Sequence, residues 1–431
     1  MVWRDVTIGK LGRVVTGRTP PSSQPTLFGE AYPFITPTDI DGQERLVHTE
    51  RFLSEEGRAS MERLLVPAGS IAYVCIASVG KVCVVQRPSF TNQQINSVVV
   101  DEDEFDPSFV YYALRHATPR IKATAGGAAT PIINKSAFSD ISIQVPDLRL
   151  QRCIASILSA YDDLIENHTR RIAILEEMAR RIYEEWFVRF RFPGHENVRM
   201  VESELGPVPD GWSVETFETL LDSWRGGDWG SDEQSETDSA PVFVIRGTDF
   251  DELARGTGNR TPRRFIEPKS LAKRKLRPYD LIVENSINAK SRSAGKTLLM
   301  TPGLLKRLGG DSIAASFCKV FRFKDPTLAI LAHLKMRHLF ECGDMAFYQN
   351  VAANGIANFQ AQRFVSAQFM MLPRDEAAKN RLLSFLENLT ASTLGDTIVN
   401  LRTTRDLLLP KLISGELDVS ALPDDPEAVA A

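Results

Sequence analysis

Two clusters of amide and cationic side chains carry most of the chemistry this sequence offers. The first holds Asn92, Gln93, Gln94, Thr130, Asn134 and Lys135. The second holds Asn350, Asn354, Asn358, Gln360 and Arg363, with Gln349 and Gln362 beside them. Side chains of these types present paired donors and acceptors: Arg suits guanine, and Asn or Gln suits adenine. Arg18 and Thr19 in the turn-rich Thr16–Pro21 segment, Lys81, and Arg246 in the second half add further candidates. A basic field lies at 251–307, where 14 Lys/Arg stand against 5 Asp/Glu, and it includes Lys290, Arg292 and Lys296. Such a field suits phosphate contacts, which give affinity without sequence preference. Taken singly, each of these residues is also an ordinary loop or surface residue. The recurrence of a polar loop shortly before each of two long helical stretches is what joins them.

Other chemistries leave weaker traces. Gly295-Lys296-Thr297 ends like a phosphate-binding loop, but that loop needs a glycine where Lys290 stands. No GxGxxG occurs. Asp280 and Glu284 flank an apolar run like a nuclease carboxylate pair, yet Ser286 stands where such a pair expects lysine. His333 and His338 are five apart, a poor spacing for two ligands on one helical face. No Asn/Asp-Pro-Pro-aromatic tetrad of the adenine-methyltransferase kind is present. The five cysteines form no CxxC pair and read as reduced thiols.

The elements that must position the clusters are long helices. Residues 147–187 contain no Gly and no Pro, and apolar residues recur at Leu150, Ile154, Ile157, Tyr161, Leu164, then Ile172, Leu175, Ala179, Ile182 and Trp186. Steps of four and three predict a coiled-coil-like seam, with His168 as a polar seam residue. At 1.5 Å per residue the run spans roughly 60 Å. A second run, about 375–412, carries Leu382, Phe385, Leu389, Ile398, Leu401, Leu408 and Leu412, and Pro410 and Ser414-Gly415 are read as its end.

The chain also echoes itself. Trp212 restarts the pattern of Trp3, and Arg225-Gly226-Gly227 stands for Thr16-Gly17-Arg18. Val244–Asp249 matches Phe34–Asp39, Leu276–Ile282 matches Leu65–Ile71, and Asp325-Pro326 matches Asp106-Pro107. These echoes predict a duplicated unit. Within it, the second half lacks a counterpart of the Asn92-Gln93-Gln94-Ile95 run, and Ala315-Ser316-Phe317-Cys318-Lys319 stands there instead. With 431 residues, 43% hydrophobic and 25% charged, the chain has globular composition and room for two or three domains. No apolar run reaches membrane-span length and the first residues lack a signal-peptide core, so a cytoplasmic location with no membrane partner is expected.

The chain resembles the specificity subunit of type I restriction–modification systems. The stretches that carry the likeness are Thr91–Asn96, Leu175–Val188 and Leu409–Leu417. The resemblance implies an α+β fold: two similar mixed α/β target-recognition domains separated by two long antiparallel coiled-coil helices. It divides the chain into a first target-recognition domain at 1–146 and a first spacer helix at 147–192. A linker follows at 193–210, then a second target-recognition domain at 211–373, a second spacer helix at 374–415 and an acidic tail at 416–431. It further implies double-stranded DNA as ligand and a bipartite asymmetric target. Partners would be two adenine-N6 methyltransferase subunits and restriction subunits. No catalytic residue, metal or cofactor is expected in this chain, with S-adenosylmethionine and ATP/Mg expected in the partners. The competing reading is a nuclease or methyltransferase with an unrecognised site, for which Asp280 and Glu284 are the best residues.

Overall fold

The computed structural model describes residues 3–124, 131–203, 206–256, 260–288, 294–390 and 394–422. The chain divides into two compact units, 1–166 with 400–431, and 167–399.

In the first unit a four-stranded sheet runs in the order Gly12–Thr16, Ile95–Val100, Ile71–Val74, Val82–Val84. Beside it lie Phe52–Leu53, Phe28–Ile35 and Phe90–Thr91, the last two pairing in parallel. Arg4–Thr7 pairs with Ser142–Val145. The strands are rich in Val, Ile, Tyr and Phe, which fit a half-buried pleated surface. Helix Pro107–Thr124 starts on a proline, whose missing N–H costs nothing at that position. Asp106 accepts from the Phe109 N–H at 2.8 Å, and Phe109, Val110, Tyr112 and Leu114 join the sheet core.

The second unit repeats this order. Its four strands are Leu221–Gly226, Cys318–Phe323, Leu281–Glu284 and Thr297–Leu299, and its three are Arg263–Ile266, Ala240–Ile245 and Ser312–Ala314. Trp212–Thr216 pairs with Phe369–Pro373. The echoes in the sequence therefore mark equivalent strands, with two shifts of one residue. Ser70 N–H bonds the Pro67 carbonyl and Asp280 N–H bonds that of Arg277, so Ile71 corresponds to Leu281, not Ile282. Gly69 and Tyr279 share the left-handed turn position, at φ 81° and 65°. The second shift pairs Gly17 with Gly227. The expected linker at 193–210 holds a hairpin, Met200–Ser203 with Gly206–Pro209.

The first long helix is Leu148–Tyr183, extended by a π-helical turn Glu184–Val188. The second stretch comprises two helices, Glu376–Thr390 and Leu394–Ile413, with 391–393 outside the described residues. Pro410 lies inside the last turn and does not end the helix. Burial of Leu409, Leu412 and Ile413 offsets the roughly 3 kcal/mol a helical proline costs. In the first unit Cys153 Sγ meets the Val419 carbonyl while Asp162 meets Arg405, so the helices run antiparallel there. In the second unit Trp186 stacks on Phe385 at 5.6 Å, and Ala179 and Tyr183 share a core with Leu382, Leu386 and Leu389.

The buried seam departs from the apolar one. On the first helix it passes through Leu150, Ile154, Leu158, Asp162 and Ile165, while Leu164 is exposed. On the last helix it follows Ile398, Arg402, Arg405, Leu409 and Leu412, in place of Leu401 and Leu408. The reason is pairing. Asp162 accepts from the Tyr112 hydroxyl at 2.6 Å and from Arg405. Arg405 also meets Asp406 at 2.9 Å, and Asp406 meets Arg115 at 3.4 Å. Charges that are paired and hydrogen-bonded can occupy buried positions.

Candidate nucleic-acid interface

Each unit folds its polar loop on the same hydrogen-bonded frame. In the first, Gly17 N–H donates to the Ile95 carbonyl, Arg18 N–H to Thr91, and Asn92 N–H to Ile35. Cys75 N–H donates to Gln94, and Ile133 N–H to Cys75. In the second, Gly227 donates to Cys318, Asp228 to Ala314, Ala315 to Ile245, Asn285 to Phe317, and Phe359 to Asn285. Five bonds thus correspond, atom for atom. A Cβ on Gly17 would lie 2.2 Å from the Thr91 oxygen, and one on Gly227 would lie 2.1 Å from the Ala314 oxygen, so only glycine permits this approach. The turn before each frame also repeats: Thr36 N–H donates to Asp39 at 2.7 Å, and Arg246 N–H to Asp249 at 2.9 Å.

On this shared frame the side chains differ. The first unit brings Thr19, Gln93, Asn92 and Gln94 together. Thr19 Oγ1 donates to Gln93 Oε1 at 2.6 Å, and Asn92 Nδ2 donates to Gln94 Oε1 at 3.0 Å. Asn92 is only 7% exposed and its carbonyl oxygen accepts from Gln94 N–H, so it shapes the loop. Gln93 and Arg18 stand in solvent. Asn134 Oδ1 caps the helix Lys135–Asp140 at 2.9 Å, so Asn134 and Lys135 form a helix start where the sequence suggests a flexible loop. Lys81 Nζ is held by the Pro37 carbonyl at 2.9 Å. Thr130 lies outside the described residues.

In the second unit Ser286, Asn358 and Asn350 form one row across three strands, and Ser286 Oγ donates to Asn358 Oδ1 at 2.7 Å. Asn354 turns the hairpin, accepting from Ile356 N–H at 3.1 Å. Gln360 stands at the start of helix Ala361–Ala367, and Arg363 on it reaches Gln360 at 3.4 Å. An open groove of about 610 Å³ beside them is lined by Trp224, Asn285, Lys319, Gln360 and Arg363. Asn285 Oδ1 there has no hydrogen-bond partner among the described residues. Arg246 is locked on Asp249, with contacts of 2.7 and 3.0 Å, and Lys296 is paired with Asp251. Lys290 and Arg292 lie outside the described residues.

Sequence reasoning missed Phe317, Trp224, Lys319 and Ser286. For Phe317 and Lys319 a signal was available: they lie in the stretch that replaces the first half's amide run.

Other chemistry finds little here. Asp280 is gripped by Arg322 at 2.6 and 2.7 Å and accepts from the Arg277 N–H at 2.8 Å, which leaves it no open coordination face. Burial pushes the Cys75 thiol up to about 11 and that of Cys318 up to about 12, so neither is a thiolate nucleophile near neutrality. Among the described residues no three His, Cys, Asp or Glu converge as a metal site, and no helix is long and apolar enough to cross a membrane.

Residues 2–177 match the family model of the type I restriction modification DNA specificity domain. The N-terminal part of the chain, which makes up most of the first unit, is thus similar to that domain. Over its length the chain is similar to the MjaIX specificity subunit of Methanocaldococcus jannaschii, at 24% identity over 97% of this chain and 94% of that one. It is 36% identical to the HindI specificity subunit of Haemophilus influenzae over 38% of each chain. The crystal structure of a type I restriction-modification S subunit from M. genitalium shares the fold. Its TM-score is 0.55 at 14% identity, covering 95% of this chain and 96% of that one. The role that goes with the specificity family is DNA recognition.

Proposed function

We propose that this chain is the DNA-reading subunit of a type I restriction–modification complex. It reads a bipartite, asymmetric target and directs adenine-N6 methylation, and restriction, by partner subunits. The observation that carries this reading is the repeated hydrogen-bonded frame bearing unlike side chains. Amides from Asn92 to Gln94 crown one copy, and Ala315, Ser316 and Phe317 crown the other. Two copies of one scaffold with different contact surfaces suit a target whose halves differ in sequence. Double-stranded DNA is the ligand. Two methyltransferase subunits and the restriction subunits bring S-adenosylmethionine and ATP chemistry that this chain does not supply.

The test is a single-molecule map of N6-methyladenine in the source genome, with and without this gene. Loss of one split, asymmetric motif is the expected result. An unchanged map in cells that express the partner methyltransferase would overturn the proposal.

A further inference from the structure

We infer that Phe317 reads a thymine in the second half of the target, through apolar contact with the thymine 5-methyl group. The inference rests on the DNA-reading role proposed above and adds a residue and a base to it.

Phe317 is 63% exposed, yet the turn that carries it is held by several backbone hydrogen bonds. Its carbonyl accepts from Asn285 N–H at 2.8 Å and from Ser286 N–H at 3.3 Å. The turn is closed by Cys318 N–H on the Ala315 carbonyl at 2.8 Å, and Ala315 N–H is fixed on Ile245 at 2.8 Å. A single exposed apolar side chain is ordinary on a protein surface; what singles out Phe317 is its place on the repeated frame, at the position that carries Gln94 in the first unit. Polar residues adjoin that place: Ser286, whose N–H bonds the Phe317 carbonyl, pairs across the strands with Asn358, and Lys319 is two residues on.

The equivalent position in the first unit is Gln94, whose amide is bonded to Asn92. The second unit has neither amide. The base-edge feature that an apolar side chain can recognise in duplex DNA is the thymine methyl group. The amide-bearing row beside Phe317 suits the adenine edges of neighbouring A·T pairs. Because the turn is already ordered, contact sacrifices little conformational freedom.

The test uses the assembled complex with its methyltransferase subunits and duplexes carrying the mapped motif. Each thymine of the second half is replaced in turn by deoxyuridine, which removes only the methyl group. For the native complex, one replacement should weaken binding about 5- to 10-fold, within the range a single specific base contact supplies. In Phe317→Ala that sensitivity should vanish, the thymine and deoxyuridine duplexes binding alike. Sensitivity to substitutions in the first half should persist, which confirms an intact complex. The inference is overturned if no deoxyuridine in the second half weakens native binding, if Phe317→Ala keeps the same sensitivity, or if the second half contains no thymine. Equal loss on both duplexes keeps that sensitivity, and so overturns the inference in favour of a methyl-independent contact. Failure of the DNA-reading role itself would show earlier, as an unchanged methylation map.

Discussion

Asn358 is bonded through its carbonyl oxygen to Ser286, which leaves its amide nitrogen free to donate. Its neighbour across the hairpin, Asn350, is exposed. A bidentate amide contact is worth about 1–3 kcal/mol of discrimination. Asn358→Ala should therefore reduce methylation at the second half-site about tenfold and tolerate base changes there. Gln93→Ala should do the same for the first half alone. Sequencing of methylated sites in cells carrying each variant separates the two. His333 offers a residue-scale test of a different kind. It lines a cavity of about 270 Å³, its Nδ1 lies 2.8 Å from Thr297 Oγ1, and burial lowers its pKa to about 3. The folded state thus holds it neutral, whereas the unfolded chain protonates near 6.5. Its contribution is intact above that value and declines as pH falls from about 6.5 towards 3, reaching a loss of about 2 kcal/mol by pH 5. Denaturant titration should show a smaller drop between pH 7 and 5 for His333→Asn. None of this environment is legible in the sequence, where His333 is one of six scattered histidines. The amides of both loops are legible because their type alone limits what they can do.

At the scale of elements, the presence of the long helices follows from periodicity and their antiparallel direction from the family resemblance, but the packed face follows from neither. Apolar spacing points to Tyr161 and Leu164, and to Leu401 and Leu408, whereas burial falls on Asp162, Arg402 and Arg405. A period count treats Asp and Arg as solvent-facing, and only three-dimensional pairing shows that Tyr112, Asp162 and Arg405 satisfy one another. Removing Asp162 leaves the buried Arg405 with only the half-exposed Asp406 as its ion-pair partner, at a cost of up to about 3–5 kcal/mol. Asp162→Ala should lower the unfolding free energy measured by chemical denaturation by that amount, while the double substitution Asp162→Leu with Arg405→Met should recover much of it. If the single and double variants lose equal stability, the pair is not coupled. Arg181, on the exposed face of the same helix, makes its ion pair with Glu177 in solvent, and Arg181→Ala should leave the midpoint nearly unchanged.

For the whole molecule, duplication was legible as order and approximate spacing, and blurred by one residue at two places. The blur has a physical origin: strand pairing conserves backbone hydrogen bonds, not residue types, so Tyr279 can hold the left-handed position that Gly69 holds in the other copy. The two main cores are separate. One collects Val6 to Leu158 with Leu409 to Val419, and the other collects Ala179 to Leu389. Separate cores permit one unit to be exchanged without disturbing the other. Replacing residues 1–146 by the corresponding segment of a relative should therefore change one half of the methylated motif and leave the other intact. The exchange has a condition set by the buried charge cluster, because the replaced segment supplies Tyr112 and Arg115 to Asp162 and Asp406. A donor with Phe in place of Tyr112 leaves Asp162 short of a hydrogen bond, at a cost of about 1–3 kcal/mol. Restoring that single tyrosine should return the chimera's thermal stability without altering its new motif. A motif altered in both halves by the exchange would show that the two units do not read independently.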